Sequence, residues 1–261
     1  MSSWSPPGRP AAAGSRGPAP VAVPRHRAPK GTQLVRLRLP DRPGSLAATA
    51  GHFAGHGVNV LRLEVVGQEG GWAVDDFLLA GSGLPAALSG LGPDVTVLAR
   101  RPGVDLHDPG LAMARACAAV TGASTAREAH RQLVTAALEL VFAEAGFVCV
   151  REGHGFLRPL ASTEPELPVL DEGATSLLRS ALFSGESLTA DGRAPWAPEA
   201  HRALLPSGAV AAIPGGSPPF LVLALVRVDD APFVSTELAR LAALVRVAVG
   251  TLQLHRAPAR R

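Results

Sequence analysis

The chain of 261 residues is long enough for two modest domains and a tail. Its formal charge of +3 is unevenly distributed: residues 1–31 hold five basic residues and no acidic one, and the last six residues hold three more basic ones. The remaining body therefore carries 17 basic residues against 22 acidic residues, a net charge of −5. Because nucleic-acid binding requires a clustered basic surface, this balance argues against nucleic acid as the main partner.

The composition also indicates where the protein works. The two cysteines, Cys117 and Cys149, fall in different predicted elements and suit a reducing cytoplasm rather than a disulfide framework. The N-terminal region lacks the apolar run of a signal peptide. The sequence also contains no uncharged apolar stretch of 18 residues, so we predict no membrane span. Pro, Ala, Gly and Arg dominate the N-terminal end, so we predict disordered tails at residues 1–31 and 257–261.

The first ordered elements surround a short motif, Asp-Arg-Pro-Gly-Ser-Leu, at residues 41–46. Apolar residues alternate with arginines through residues 35–39, which predicts a half-buried strand before the motif. Apolar residues at helical spacing follow it through residues 46–53, and Gly57 is suited to end that helix. Gly44 allows a ligand to approach the helix N-terminus, where unpaired N–H groups favour a carboxylate.

Four further elements complete the predicted first domain. A second strand begins at Asn59 and continues through residues 60–65, and a Glu-Gly-Gly turn leads to a third strand, residues 72–79. A short helix at residues 84–91 and a strand at residues 95–99 follow. The sequence therefore predicts the order strand, helix, strand, strand, helix, strand.

This order, with the motif at residues 41–46 and the His-Gly-Val-Asn-Val strand start, resembles the ACT domain, a ferredoxin-like βαββαβ unit that binds amino acids. The resemblance assigns residues 32–101 to this domain. It implies that the domain forms a homodimer and that the ligand binds at the interface of the paired domains. It further implies ligand contacts with the loop backbone and with two polar side chains, which gives the site residues Asp41, Gly44, Ser45, Leu46 and Asn59.

Residues 102–123 are predicted to be a linker that contains a short helix, Leu111–Val120. A second domain then begins with Thr125 and Glu128 in capping-box spacing, and its first helix is predicted to stop at Gly146. A hairpin and a further helix follow, predicted over residues 147–151, 156–161 and 174–184.

The C-terminal part adds two strands, residues 209–213 and 220–228, and a last helix, Ser235–Leu254. Ile213-Pro214, the second of these strands and the sequence Pro-Phe-Val-Ser-Thr-Glu-Leu that enters the helix resemble the GAF domain. The resemblance covers residues 124–256 and implies an antiparallel sheet with a sensor or dimerisation role. No cysteine occupies a chromophore-attachment position, and no nucleotide-binding motif is present.

Few catalytic chemistries remain open. Lys30, the only lysine, lies in the tail, which excludes a P-loop lysine and a Schiff-base lysine from the folded body. His52 and His56 stand one helical turn apart, as two metal ligands would, but exposed polar residues fit the same spacing. His154 and Trp196 could border a pocket. Alternatively, His154 is a turn residue and the Trp196 indole packs against the core.

Two further features have structural interpretations. Asp75 and Asp76 are adjacent in a strand and must point to opposite faces, so one is expected to pair with Arg36, Arg38 or Arg62 across the sheet. Cys149, in an apolar strand, is expected to behave as a small hydrophobic residue.

We therefore predict a non-catalytic cytoplasmic regulatory protein without metal or cofactor. It would bind an amino acid or related small metabolite through the ACT-like domain and relay binding through Leu111–Val120 to the GAF-like domain. Its output partner is not visible in the sequence. The alternatives are a small hydrolytic or metal-dependent enzyme using His52, His56 or His154, and a ligand-free dimeric adaptor.

Overall fold

The described residues form two mixed α/β units, each built on an antiparallel sheet: an N-terminal unit, residues 31–102, and a C-terminal unit, residues 108–256. Most of the two predicted tails, His154 and Trp196 lie outside the described residues. The computed structural model describes residues 29, 31–102, 108–152, 157–162, 172–191, 209–217, 219–227 and 231–256.

The six elements predicted for the N-terminal unit are present in the predicted order. Its four strands are all antiparallel to their neighbours and follow the order β2-β3-β1-β4 across the sheet. The elements are β1 (Gln33–Pro40), α1 (Ser45–Gly55), β2 (Asn59–Glu69), β3 (Trp72–Ala80), α2 (Leu84–Ser89) and β4 (Thr96–Pro102).

Alternation along β1 and β3 divides this sheet into two different faces. Leu37 and Phe77 are fully buried on the face covered by α1 and α2, where the Phe77 ring meets Phe53 edge-on at 5.6 Å. The opposite face carries Arg36 and Val74 toward the C-terminal unit. Because both faces are covered over part of their length, β3 is buried almost throughout.

The C-terminal unit contains a five-stranded antiparallel sheet in the order β6-β5-β9-β8-β7. Helices α3, α4 and α6 pack on one face of it and α5 packs on the other. Strand β7 was not predicted. The elements are α3 (Pro109–Thr121), α4 (Ala126–Val141), β5 (Ala145–Arg151), β6 (Leu157–Ser162), α5 (Glu172–Ser184), β7 (Leu188–Asp191), β8 (Ala209–Gly216), β9 (Pro219–Arg227) and α6 (Ser235–Arg256).

The ends of α4 confirm one sequence prediction and correct another. Thr125 Oγ1 accepts a hydrogen bond from Glu128 N at 3.1 Å, which confirms the N-terminal cap. The helix ends at Val141 with Phe142 in a left-handed conformation (φ 54°), so Gly146 does not stop it. Gly146 instead lies in β5, where a Cβ atom would be 2.7 Å from a side-chain carbon of Leu225.

Helix α3 belongs to the core of the C-terminal unit. Ala116 and Val120 are buried among residues of α4 and α6. The segment that we predicted as a linker therefore contributes a packed helix, and residues 103–107 lie between the two described units.

Helix α6 is long and apolar enough, by length and composition, to cross a membrane: residues Ser235–His255 contain an 18-residue window of mean hydropathy 1.2. Its apolar face is nevertheless used inside the protein, because Leu241, Leu244 and Val245 are fully buried against α3, α4 and the sheet. Its first turn carries Glu237 in a buried ion pair. These contacts are those of a core helix.

Candidate functional site

The motif loop between β1 and α1 adopts a tight, glycine-dependent conformation. Gly44 has φ of +91°, which other residues rarely adopt, and it precedes α1 without a side-chain cap for the helix N-terminus. The loop is held by hydrogen bonds from Asp41 N to Gly71 O, 2.9 Å, and from Ser45 N to Arg42 O, 3.2 Å. The loop therefore presents an uncapped helix N-terminus beside its own side chains.

A cleft of about 210 Å³ opens next to this loop, between α1 and the segment that joins α2 to β4. Pockets for drug-sized ligands have volumes of about 300 to 1,000 Å³. The cleft is smaller than these, so its volume suits a small metabolite. We call it the cleft. Its walls combine apolar residues with a few polar ones: Leu39, Pro40, Arg42, Ser45, Ala48, Thr49, His52, Leu91, Gly92, Pro93, Asp94 and Val95.

Two opposite charges stand at the cleft. Arg42 Nη2 lies 3.4 Å from Asp94 Oδ2, and the two side chains are 68% and 63% exposed. An ion pair this exposed contributes little stability, so a ligand could replace the contact at small cost. The Arg42 guanidinium can bind the carboxylate of an amino acid, and the neighbouring Asp94 carboxylate can bind its ammonium group.

The structure brings only part of the predicted site together. Ser45 lines the cleft. Asp41 is exposed outside its lining and accepts a hydrogen bond from Gln68 Nε2 at 3.3 Å. Leu46 packs against the core beneath α1.

Asn59 lies far from the other predicted residues. It is exposed and is the first residue of β2, where it pairs with Ala80. This is the end of the sheet at which β1 begins. The motif loop follows Pro40 at the other end of β1, eight residues along the strand. At about 3.3 Å per residue the separation is roughly 20 Å or more, so one copy of the chain does not place Asn59 and Gly44 on the same small ligand.

The adjacent carboxylates of β3 have different surroundings. Asp76 receives two hydrogen bonds of 2.8 Å from Arg36, which confirms the predicted pairing across the sheet. Asp75 is 2% exposed and its Oδ1 has no hydrogen-bond partner among the described residues. Burial, with Asp76 and Asp41 nearby, raises the pKa of Asp75 from its ordinary value of 3.8 to about 6.

His52 in α1 and His56 directly after it form hydrogen bonds to backbone carbonyls. His52 Nε2 lies 2.8 Å from Ala87 O, and His56 Nδ1 lies 2.9 Å from His52 O, so each ring donates an N–H to a backbone oxygen. Within the part of the chain that the structure describes, no group of three or more His, Cys, Asp or Glu residues could hold a metal ion. His154, the third residue of the enzyme alternative, is outside that part.

The cysteines are free, and Cys149 is confirmed as a core residue. Its side chain is fully buried against α5, and burial raises the pKa of the thiol to about 12. A protonated, inaccessible thiol is not a nucleophile at neutral pH.

Four buried charged side chains connect the two units. Arg36 bonds to Asp76 and, through Nη1, to Glu237 Oε1 at 3.0 Å. Glu237 in turn accepts from Arg227 Nη2 at 2.9 Å. Burial disfavours the charge of Glu237, but Arg227 and Arg36 outweigh that effect and hold its pKa below the usual value. We call this row of four residues, with the apolar contacts around it, the joint.

Sequence reasoning missed Arg42 and Asp94 as candidate ligand contacts. Arg42 belongs to the recognised motif, so its charge beside Gly44 was a usable signal. Asp94 lies in a Gly-Pro-Asp turn some fifty residues later, and nothing local links it to the motif.

Comparison with known proteins gives resemblances of fold. No family model matches this sequence, and no curated protein matches it. Solved structures similar to the chain include GAF domains. One, from a phosphoenolpyruvate-protein phosphotransferase of Coxiella burnetii, is 17% identical with a TM-score of 0.45, and the match covers 57% of this chain and 94% of that one.

Two further similar structures are of the same kind. The GAF domain of the Acinetobacter phosphoenolpyruvate-protein phosphotransferase is 13% identical, with a TM-score of 0.45 and coverage of 60% of this chain and 100% of that one. A GAF domain/HD domain protein from Geobacter sulfurreducens is 22% identical, with a TM-score of 0.42 and coverage of 52% and 97%. At these identities the matches assign no activity to this chain.

Proposed function

We propose that this chain is a non-catalytic regulatory protein that binds an amino acid or a related small metabolite in the cleft of its N-terminal unit. The observation that carries the proposal is the pairing of Arg42 with Asp94 at the mouth of a cavity of about 210 Å³. The motif loop and the uncapped start of α1 border the same cavity.

The chemistry of the cleft fits a zwitterion. The ligand carboxylate would pair with Arg42 and approach the N–H groups at the start of α1, where the helix dipole favours negative charge. The ammonium would pair with Asp94. Leu39, Leu91 and Val95 leave room for a small apolar or short polar side chain.

The architecture supports an ACT-like assignment for the N-terminal unit. Its βαββαβ order and four-stranded antiparallel sheet are those of the ferredoxin-like arrangement that the resemblance implies. We further propose a homodimer. Since Asn59 and Gly44 lie at opposite ends of one sheet, Asn59 would reach a ligand at the motif loop only from a second copy of the chain.

We propose a GAF-like C-terminal unit as the sensor or output part, in keeping with its antiparallel sheet covered by helices on both faces. The relay would run through the joint rather than through α3. Strand β1 supplies Leu39 and Pro40 to the cleft and Arg36 to the joint, so one strand contributes to both. The free cysteines accord with work in the cytoplasm.

A screen of the twenty amino acids by thermal shift, followed by titration calorimetry with the best one, tests this function. Arg42→Ala should weaken binding about tenfold or more, because a hydrogen bond to a charged group contributes roughly 1.5–3 kcal/mol. Arg100→Ala is the matched control, since Arg100 is another exposed arginine of the unit and bonds Gln33 away from the cleft. Equal affinity in the Arg42 variant and its control would refute the proposed site, and no binding of any amino acid would refute an amino acid as its ligand.

A further inference from the structure

The joint is a buried contact with charged side chains at its centre. Arg36 and Glu237 are 6% and 2% exposed, although they belong to different units. An apolar cluster packs around them, contributed by both units: Val66, Val74, Leu98, Ala231 and Val234. The contact is also close, because a Cβ atom on Gly67 of β2 would lie 2.9 Å from Val234 Cβ.

The charges of the joint are balanced within each unit. The N-terminal unit holds Arg36 with Asp76 in a two-bond pair, and the C-terminal unit holds Arg227 with Glu237. Arg227 also donates to the backbone oxygens of Ala231 and Pro232. The bond between Arg36 and Glu237 is thus added to two pairs that are already neutral.

This arrangement changes what separation of the units would require. A buried charge whose only partner lies across an interface is left uncompensated when the interface opens, which is strongly unfavourable. In this joint each charge keeps its partner in its own unit. The other contacts described between the units are the apolar cluster, a bond from Thr236 Oγ1 to Val66 O, and the partly buried pair of Arg240 with Glu64. Arg101 also pairs with Glu144 at 2.7 Å and lies over the Phe142 ring.

We propose that the joint is a reversible docking surface at which the two units separate and rejoin as intact folded bodies. Separation would uncover Val66, Val74 and Leu98 on the sheet of the N-terminal unit, and Val234 beside the first turn of α6. The proposal holds whether or not the cleft binds an amino acid, so it stands or falls independently of the function proposed above.

Hydrogen–deuterium exchange of the full chain with the substitution Gly67→Ala tests the proposal. The added methyl group meets Val234 and wedges the joint, while all four charges stay in place. Gly51→Ala is the matched control, because a Cβ atom on Gly51 in α1 meets nothing within 4 Å. We expect exchange in peptides that cover residues 64–67 and 231–237 to rise at least tenfold in the Gly67 variant, with β5 and β9 unchanged and with no change in the control.

A uniform rise over both units would show that the joint is part of one cooperative core, and no rise would show that the wedge does not open it; either result overturns the proposal. If Gly67→Ala does not fold, Thr236→Val decides the question, since it removes only the hydrogen bond to Val66 O. The proposal then requires a rise of about threefold or more at residues 231–237 alone.

Discussion

Asp75 and Asp76 are adjacent in sequence, yet their replacement by asparagine should change stability in opposite directions. Asp75 is buried, its Oδ1 accepts no hydrogen bond from the residues that the structure describes, and its pKa is raised from 3.8 to about 6. An acid whose pKa is higher in the folded state binds its proton more tightly there. The stabilisation that protonated Asp75 gives the folded state is therefore fully present below pH 3.8 and is lost as pH rises through about 6.

The magnitude follows from the size of the shift. At about 1.36 kcal/mol per pKa unit, ionised Asp75 lowers the free energy of unfolding at pH 7 by about 3 kcal/mol relative to its protonated form. Asp75→Asn removes that cost, so the difference between variant and parent should grow by about 3 kcal/mol from pH 3.5 to pH 7. For a chain of this size, that corresponds to a rise in Tm of roughly 6–12 °C.

Urea denaturation followed by circular dichroism from pH 3.5 to pH 8 measures this difference. Asp76→Asn provides the contrast, because it leaves the buried Arg36 without its two-bond partner and should lower the free energy of unfolding by about 3–5 kcal/mol at pH 7. If the difference between Asp75→Asn and the parent does not change with pH, burial does not destabilise the ionised carboxylate of Asp75.

Three further outcomes are expected from single positions. Gly44→Ala places a side chain at φ +91° and should lower the free energy of unfolding by about 1–2 kcal/mol in urea denaturation, although a Cβ atom there meets nothing within 4 Å. An unchanged midpoint would mean that the loop relaxes freely. Gly146→Ala should lower the free energy of unfolding by about 1–3 kcal/mol in the same assay, because its Cβ atom would lie 2.7 Å from Leu225 and 3.0 Å from Ala224 O. An unchanged free energy would contradict this close approach. Iodoacetamide at pH 8 should leave Cys149 unmodified in the folded chain, as read by mass spectrometry, and labelling as fast as that of half-buried Cys117 would disprove its burial.

Local patterns in the sequence predicted most of the fold because each depends on neighbouring residues. Alternation through residues 35–39 identified β1, and the spacing of Thr125 and Glu128 identified the start of α4. Gly146 was misassigned because glycine serves two purposes. It can end a helix, but it also permits the close approach of β5 to β9, and only the packing distinguishes the two.

The candidate site was less predictable because its parts come from distant positions. Alternation along the strand predicted that one of Asp75 and Asp76 pairs with Arg36, Arg38 or Arg62, and Asp76 does pair with Arg36. The second partner of Arg36, Glu237, is 201 residues away in the sequence. Asn59 was grouped with the motif loop by resemblance, whereas the antiparallel order places it at the far end of the sheet. Arg42 and Asp94 become a pair only when the segment after α2 folds back beside α1.

The joint has a practical consequence for dividing this protein into fragments. A cut within residues 103–107 would free the N-terminal unit with Val66, Val74 and Leu98 newly exposed to water. An uncovered apolar face of this kind promotes self-association. Two such fragments would therefore adhere through a surface that the intact chain covers, and their dimer would mimic a native assembly. The stoichiometry of this protein should be measured on the undivided chain.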